Sequence, residues 1–363
     1  MAFGTVGLST HIWNNNLKSL VILGFYPFLM MGLVWLMAAG VGWGLLGMAQ
    51  PDASAGLQVA FDFANGTMID IWPIVLAVVG IWFLISWFFN TRMIAKLAHS
   101  HSVTRKEEPE LYNMLENLCI SRGVTMPSLE IIESHALNAF ASGITDQTYK
   151  ITLTRGLLQN LSKDEVEAVM AHELSHILNR DVRLIMICII FTGMLGFAAQ
   201  MVWSSIRYSM FSRGKQKDGR LMIIALIILA VLGIGYLTTI FSRFALSRKR
   251  EFLADAGAVE LTRNPEAMMR ALQRISGHSV MKQSSSDVAM MCIENPVPFM
   301  GLFATHPPIE KRIQTISEVS GASIPDASES FEPFMNSNAE QEWIDNNKDA
   351  LHSRKSINPW IKK

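Results

Sequence analysis

The chain has 363 residues, half of them hydrophobic, and its 31 basic residues balance 31 acidic ones. That balance removes any electrostatic case for a nucleic-acid or other polyanionic partner, and the length allows one large domain or two modest ones with apolar sequence left over for a membrane. Three widely spaced cysteines, Cys119, Cys188 and Cys292, form no CxxC pair or other ligand-like spacing, which fits reduced thiols better than a disulfide framework.

Taken in chain order, residues 19–48 carry no charge, a run longer than the roughly 20 residues a helix needs to cross a bilayer. It is also too long, with too little positive charge before it, for a cleavable signal. A second uncharged run, 71–90, holds Trp72, Trp82 and Trp87, the outer two near its ends as interfacial anchors would be. Further runs at 184–206 and 221–242 complete a set of four expected membrane helices. The stretch 49–70 lacks lysine and arginine, whereas Arg92, Lys96, Arg105 and Lys106 follow the second run, which puts both ends of the first hairpin on the cytoplasmic side. Arg207, Arg213, Lys215, Lys217 and Arg220 between the last two runs pull the other way. Either the first hairpin sets the orientation or the second hairpin is shallow.

Between the hairpins the pattern changes to that of a mixed soluble region. Leu111, Met114, Leu115, Leu118 and Cys119 recur at helical spacing over 107–122, and Gly123 marks the stop. Short β-like runs at 129–132 and 149–154 follow, with Asn138, Gly143 and Asp146 as turn residues between them, which predicts a small antiparallel sheet. Ser162 with Glu165 three residues later is the capping-box signature of a helix start.

The helix so opened contains His172-Glu173-Leu174-Ser175-His176. Histidines four apart project from one helical face and can grip one metal ion, while Glu173 lies beside it, placed to take a proton from an attacking water. A hydrolytic zinc site needs a third protein ligand and an open position. Helix-rise arithmetic finds that ligand: His176 precedes one apolar run by about 12 Å of helix, and Glu251 follows the next by roughly 15 Å, which returns it to a similar height. Asp255, one turn after Glu251, shares its face and can accept a ring N–H from a ligand histidine. Of the other histidines only His306 stands out, because Thr305-His306-Pro307-Pro308 is a rigid turn that would fix an imidazole ahead of Arg312 on a short amphipathic helix. That imidazole either donates to the oxyanion or belongs to a structural turn.

The stretches Asn138-Ala139-Phe140-Ala141, His172 to His176, Ser242-Arg243 through Arg250-Glu251-Phe252-Leu253-Ala254-Asp255, and Thr305-His306-Pro307-Pro308 with Arg312 resemble the HtpX-type membrane metallopeptidases in order and spacing, over about residues 15–318. The resemblance implies a mostly α fold with a small antiparallel β-sheet, in which a four-helix membrane part joins an α+β zincin-like metallopeptidase domain. It implies one Zn²⁺ held by His172, His176 and Glu251, Glu173 as general base, and an edge strand at Asn138, Ala139 and Phe140 that pairs with extended substrate. It further implies a bacterial inner-membrane endopeptidase with a cytoplasmic active site, degrading misfolded membrane proteins under envelope stress and tending to cleave itself.

The expected organisation is an N-terminal membrane hairpin at 1–98, a first catalytic part at 99–183, a second apolar hairpin at 184–242, a second catalytic part at 243–321, and a disordered polar tail at 322–363 ending Pro359-Trp360-Ile361-Lys362-Lys363. Two other readings share these residues: a prenyl-protein processing peptidase, which four membrane runs argue against, and a silent scaffold with structural zinc. Structural zinc sites fill all four positions with protein ligands, which disfavours the scaffold.

Overall fold

The computed structural model describes residues 8–211, 219–244, 249–276, 307–326 and 332–335. The chain divides into two compact units: Met1–Ile94, Ser142–Thr145 and Ile177–Ser247 form the first, and Ala95–Ala141, Asp146–His176 and Arg248–Lys363 the second.

The first unit is built on α1 (Leu8–Leu45), α2 (Ala53–Ala98), α6 (Asp181–Phe211) and α7 (Gly219–Phe244). Three described stretches are long and apolar enough to cross a membrane: Leu23–Ala49, Ala53–Phe89 and Asp181–Tyr208. The expected fourth run lies within α7, in which the described residues give a shorter apolar stretch, Met222–Thr238. Helix α2 also begins well before the uncharged run at 71–90 and takes in Asp62 and Asp70. Ala60 and Ala64, one turn apart and almost fully buried, give that early part a packing face. Glycines let α1 and α7 approach closely: a Cβ at Gly40 would fall 2.4 Å from Ile227 Cγ2, and one at Gly235 would fall 2.6 Å from Leu33 Cδ1. Aromatic side chains then tie α6 down by its main chain, Tyr26 Oη donating to the Phe191 carbonyl at 2.9 Å and Trp82 Nε1 to that of Ile190 at 3.1 Å.

The second unit holds β1 (Ser100–Ser102), α3 (Pro109–Arg122), β2 (Ser128–Ile132), β3 (Ala139–Ser142, its last residue in the first unit), β4 (Lys150–Thr154), α4 (Arg155–Asn160), α5 (Lys163–Leu178), α8 (Lys249–Thr262), α9 (Pro265–Ile275) and α10 (Ile309–Ser320). Gly123 closes α3 with a left-handed φ of 64°. The sheet runs β1-β2-β4-β3 and is mixed, which corrects the antiparallel expectation. β1 is antiparallel to β2, but β2 and β4 pair in parallel from Ser128 beside Lys150 to Ile132 beside Thr154. The reason is connectivity: after β2 the chain first lays β3 on the far edge and only then returns as β4 between them, so β2 and β4 are not hairpin neighbours. Leu129, Ile131, Ile151 and Leu153 are buried with Leu157, Leu158, Leu161 and Val166, so the helix that carries the HExxH residues grows out of the unit's core.

Candidate metal centre

Helix α5 starts at the expected capping box. Ser162 N–H donates to Glu165 Oε2 at 2.9 Å, and Glu165 N–H meets Ser162 Oγ at 3.4 Å. Helix α8 comes close to α5 because small residues permit it. Ala254 and Ala258 are fully buried, and a Cβ on Gly257 would fall 2.5 Å from Ser175 Oγ. That approach brings Glu251 to the two histidines. One ligand atom from each of His172, His176 and Glu251 lies within 4.8 Å of the others. Glu251 Oε2 is 3.8 Å from His172 Nε2, and Oε1 is 3.7 Å from His176 Nε2. The imidazoles meet edge to face, with centroids 4.8 Å apart.

Asp255, a turn further on, sits 3.0 Å from His172 Nδ1, so that Nε2 is the nitrogen turned to the Glu251 carboxylate. Arg312 of α10, fully buried, forks the same carboxylate: Nη2 donates to Oδ1 at 2.6 Å and Nε to Oδ2 at 2.9 Å. Burial favours neutral Asp255, yet the Arg312 charge and its hydrogen bonds outweigh that and hold the carboxyl below its ordinary range. Burial brings His172 down to about 4 against the opposing pull of Asp255, leaving the neutral imidazole a metal requires. Glu173 is pushed up to about 7, chiefly by burial, while His176 and a hydrogen bond from the Ala141 N–H work the other way. A carboxylate poised near neutrality can accept and return a proton.

Strand β3 is an edge of the sheet. Asn138, just before it, turns its main chain inward: its N–H donates to Thr154 Oγ1 and its carbonyl accepts from Thr154 N–H, both at 3.0 Å. Alternation then turns the Ala139 and Ala141 main chains outward, and the Ala141 N–H meets Glu173. Ala139 and Phe140 are both buried. The outward side of β3 thus runs along the helix that bears the histidines.

The structure therefore gathers His172, Glu173, His176, Glu251 and Asp255 into one buried cluster with β3 beside it. His306 lies outside the described residues. Two imidazoles and a carboxylate in this spacing suit Zn²⁺, whose ligands sit about 2 Å from the metal, with a separate carboxylate left over for proton transfer. The sequence reading gave Arg312 no part in the site. The signal was present, since Arg312 shares a helical stripe with Ile309, Ile313 and Ile316, and an arginine on an apolar stripe needs a buried counter-ion.

Residues 105–320 match the family model described as peptidase family M48. A protease HtpX homolog of Bacteroides fragilis is 39% identical over 323 residues, spanning 86% of this chain and 99% of the relative. Another, from Ligilactobacillus salivarius, is 32% identical over 317 residues, spanning 86% of this chain and 100% of the relative. Among solved structures, the crystal structure of S. mikatae Ste24p aligns with a TM-score of 0.43 at 17% identity, covering 84% of this chain and 66% of that one.

Proposed function

Because the chain belongs to peptidase family M48 and is a metallopeptidase of the HtpX type, we propose that it is a zinc-dependent endopeptidase of the bacterial inner membrane that cleaves misfolded membrane proteins on the cytoplasmic side. The observation that carries this reading is the meeting of His172, His176 and Glu251 with Glu173 beside them. His172, His176 and Glu251 would hold one Zn²⁺, which when bound polarises a scissile carbonyl and acidifies the attacking water. Glu173 takes the proton of that water and later delivers it to the leaving amine. Asp255, itself held by Arg312, keeps the His172 ring in the orientation that turns Nε2 toward Glu251. His306 donates to the oxyanion in this account.

Within the edge segment Asn138, Ala139 and Phe140, main-chain pairing through the outward-turned Ala139 would hold the substrate extended beside Glu173, and such pairing asks little of substrate side chains. That suits unfolded chains as a class. The apolar helices of the first unit support a membrane setting, and the Lys/Arg excess after the uncharged run 71–90 supports a cytoplasmic catalytic side. The chain reconstituted in liposomes with zinc should cleave a destabilised membrane protein many times faster than its folded parent. Equal rates would remove the quality-control reading, and preference for a prenylated peptide would replace it.

A further inference from the structure

The family match ends at residue 320, and the sequence beyond it is polar. Two stretches past α10 are nevertheless held against helices of the second unit. Gln273 Nε2 of α9 donates to the Pro325 carbonyl at 3.1 Å. A few residues on, Phe334 N–H donates to the Leu161 carbonyl at 2.8 Å and Met335 N–H to the Leu158 carbonyl at 3.0 Å. Both acceptors lie at the carboxyl end of α4, where a helix leaves its last carbonyls without partners of its own. The Ser162 N–H, which a longer α4 would direct to Leu158, is already given to Glu165. The tail's main chain therefore meets acceptors that the local sequence leaves open.

Side chains extend the contact. Met335 Sδ lies 3.1 Å from Nη1 of Arg155, and Arg155 also binds Glu108 and Glu133 at 2.8 Å each. Alongside is a cleft of about 570 Å³ whose walls include Ser162, Glu165, Arg270, Arg274, Pro333 and Phe334. Glu165 is fully buried there, capping α5 through Ser162 and accepting from Arg274 Nε at 3.0 Å.

We propose that this face is a docking site for the chain's own C-terminal segment, with residues 332–335 as a latch on the end of α4 and the start of α5. The occupant is intramolecular because five residues, 327–331, separate it from the stretch ending at Asp326 that follows the Gln273 contact, and so short a tether keeps the latch at high effective concentration. Its consequence reaches the metal centre through one helix: α5 is fastened at its first turn by this assembly and carries His172 and His176 further along. The latch acts on stability and opening, so its failure would leave the metallopeptidase reading untouched.

Hydrogen–deuterium exchange on the full chain in detergent tests it. The amides of Phe334 and Met335 should exchange at least about tenfold more slowly than free-chain amides. A chain ending at residue 326 should melt about 2–4 °C lower, on the scale of one or two lost hydrogen bonds in a domain this size. Phe334→Pro in the full chain, which removes that residue's N–H donor while keeping the tether, should lower the melting temperature in the same direction. Unprotected amides, or an unchanged melting temperature after truncation, would overturn the latch. Protection that rises with protein concentration would give the site to the tail of a second copy and overturn the intrachain assignment as well.

Discussion

Where α8 meets α5, position is set by charge; where α1 meets α6 and α7, it is set by shape and by single hydrogen bonds. In the second unit Arg312, Asp255 and His172 form a buried chain of ionic and polar contacts with few alternative arrangements. Glycine lets α8 approach, but the charges choose the register. In the first unit Gly40 and Gly235 admit Ile227 and Leu33, and Tyr26 and Trp82 each donate one bond to a main-chain carbonyl of α6. Lipid supplies no hydrophobic drive between helices, so close approach and isolated polar bonds must suffice there. The comparison teaches that a mutation should be costly in the second unit when it strands a charge, and cheap in the first when it deletes one polar atom.

The largest effect should come from Arg312→Ala, which leaves Asp255 buried and uncompensated. Stability should fall by about 3–5 kcal/mol and zinc affinity by about 10–100-fold, read by denaturant unfolding and by metal titration. A loss under 1 kcal/mol would mean the ionic chain does not set the position of α8. Next is Gly257→Val, which drives a branched side chain into Ser175 and should cost about 1–3 kcal/mol, partly recovered by Ser175→Gly. Failure of that rescue would show the close approach to be incidental.

A pH series sharpens the charge side of the comparison. Glu173 is raised by burial to about 7, so the folded state binds its proton more tightly than the unfolded chain, and stability falls as pH climbs from the ordinary glutamate value toward 7. Glu173→Gln should therefore raise the melting temperature of the metal-free chain at pH 8 and change it little at pH 4; the reverse order would contradict the burial account. The smallest effect belongs to the first unit. Tyr26→Phe removes the bond to the Phe191 carbonyl and should cost about 0.6 kcal/mol, against the several of Arg312→Ala.

Local rules were legible in the sequence. The HExxH spacing, the Ser162–Glu165 box, the Gly123 stop and the helix-length arithmetic for Glu251 each depend on residues close in the chain or on a single rise per residue. Contacts set by tertiary return were not. The parallel pairing of β2 with β4 depends on where β3 is laid down, and β1 is a Ser-His-Ser stretch with little β signal of its own. The approach of Gly257 to Ser175 joins two helices far apart in sequence, and Arg312 reaches Asp255 from a third. Charge-free length underestimated α2, because helix formation does not stop at a charged residue.

The central claim, that Glu173 transfers the proton at a zinc site made by His172, His176 and Glu251, is tested most directly by purifying wild type and Glu173→Gln side by side. Zinc content and cleavage of an unfolded protein substrate would be measured on both. The account predicts about one zinc per chain in each and a loss of cleavage of about 10²–10⁴-fold in the variant alone. Equal cleavage by the two proteins, or loss of zinc with Glu173→Gln, would contradict it.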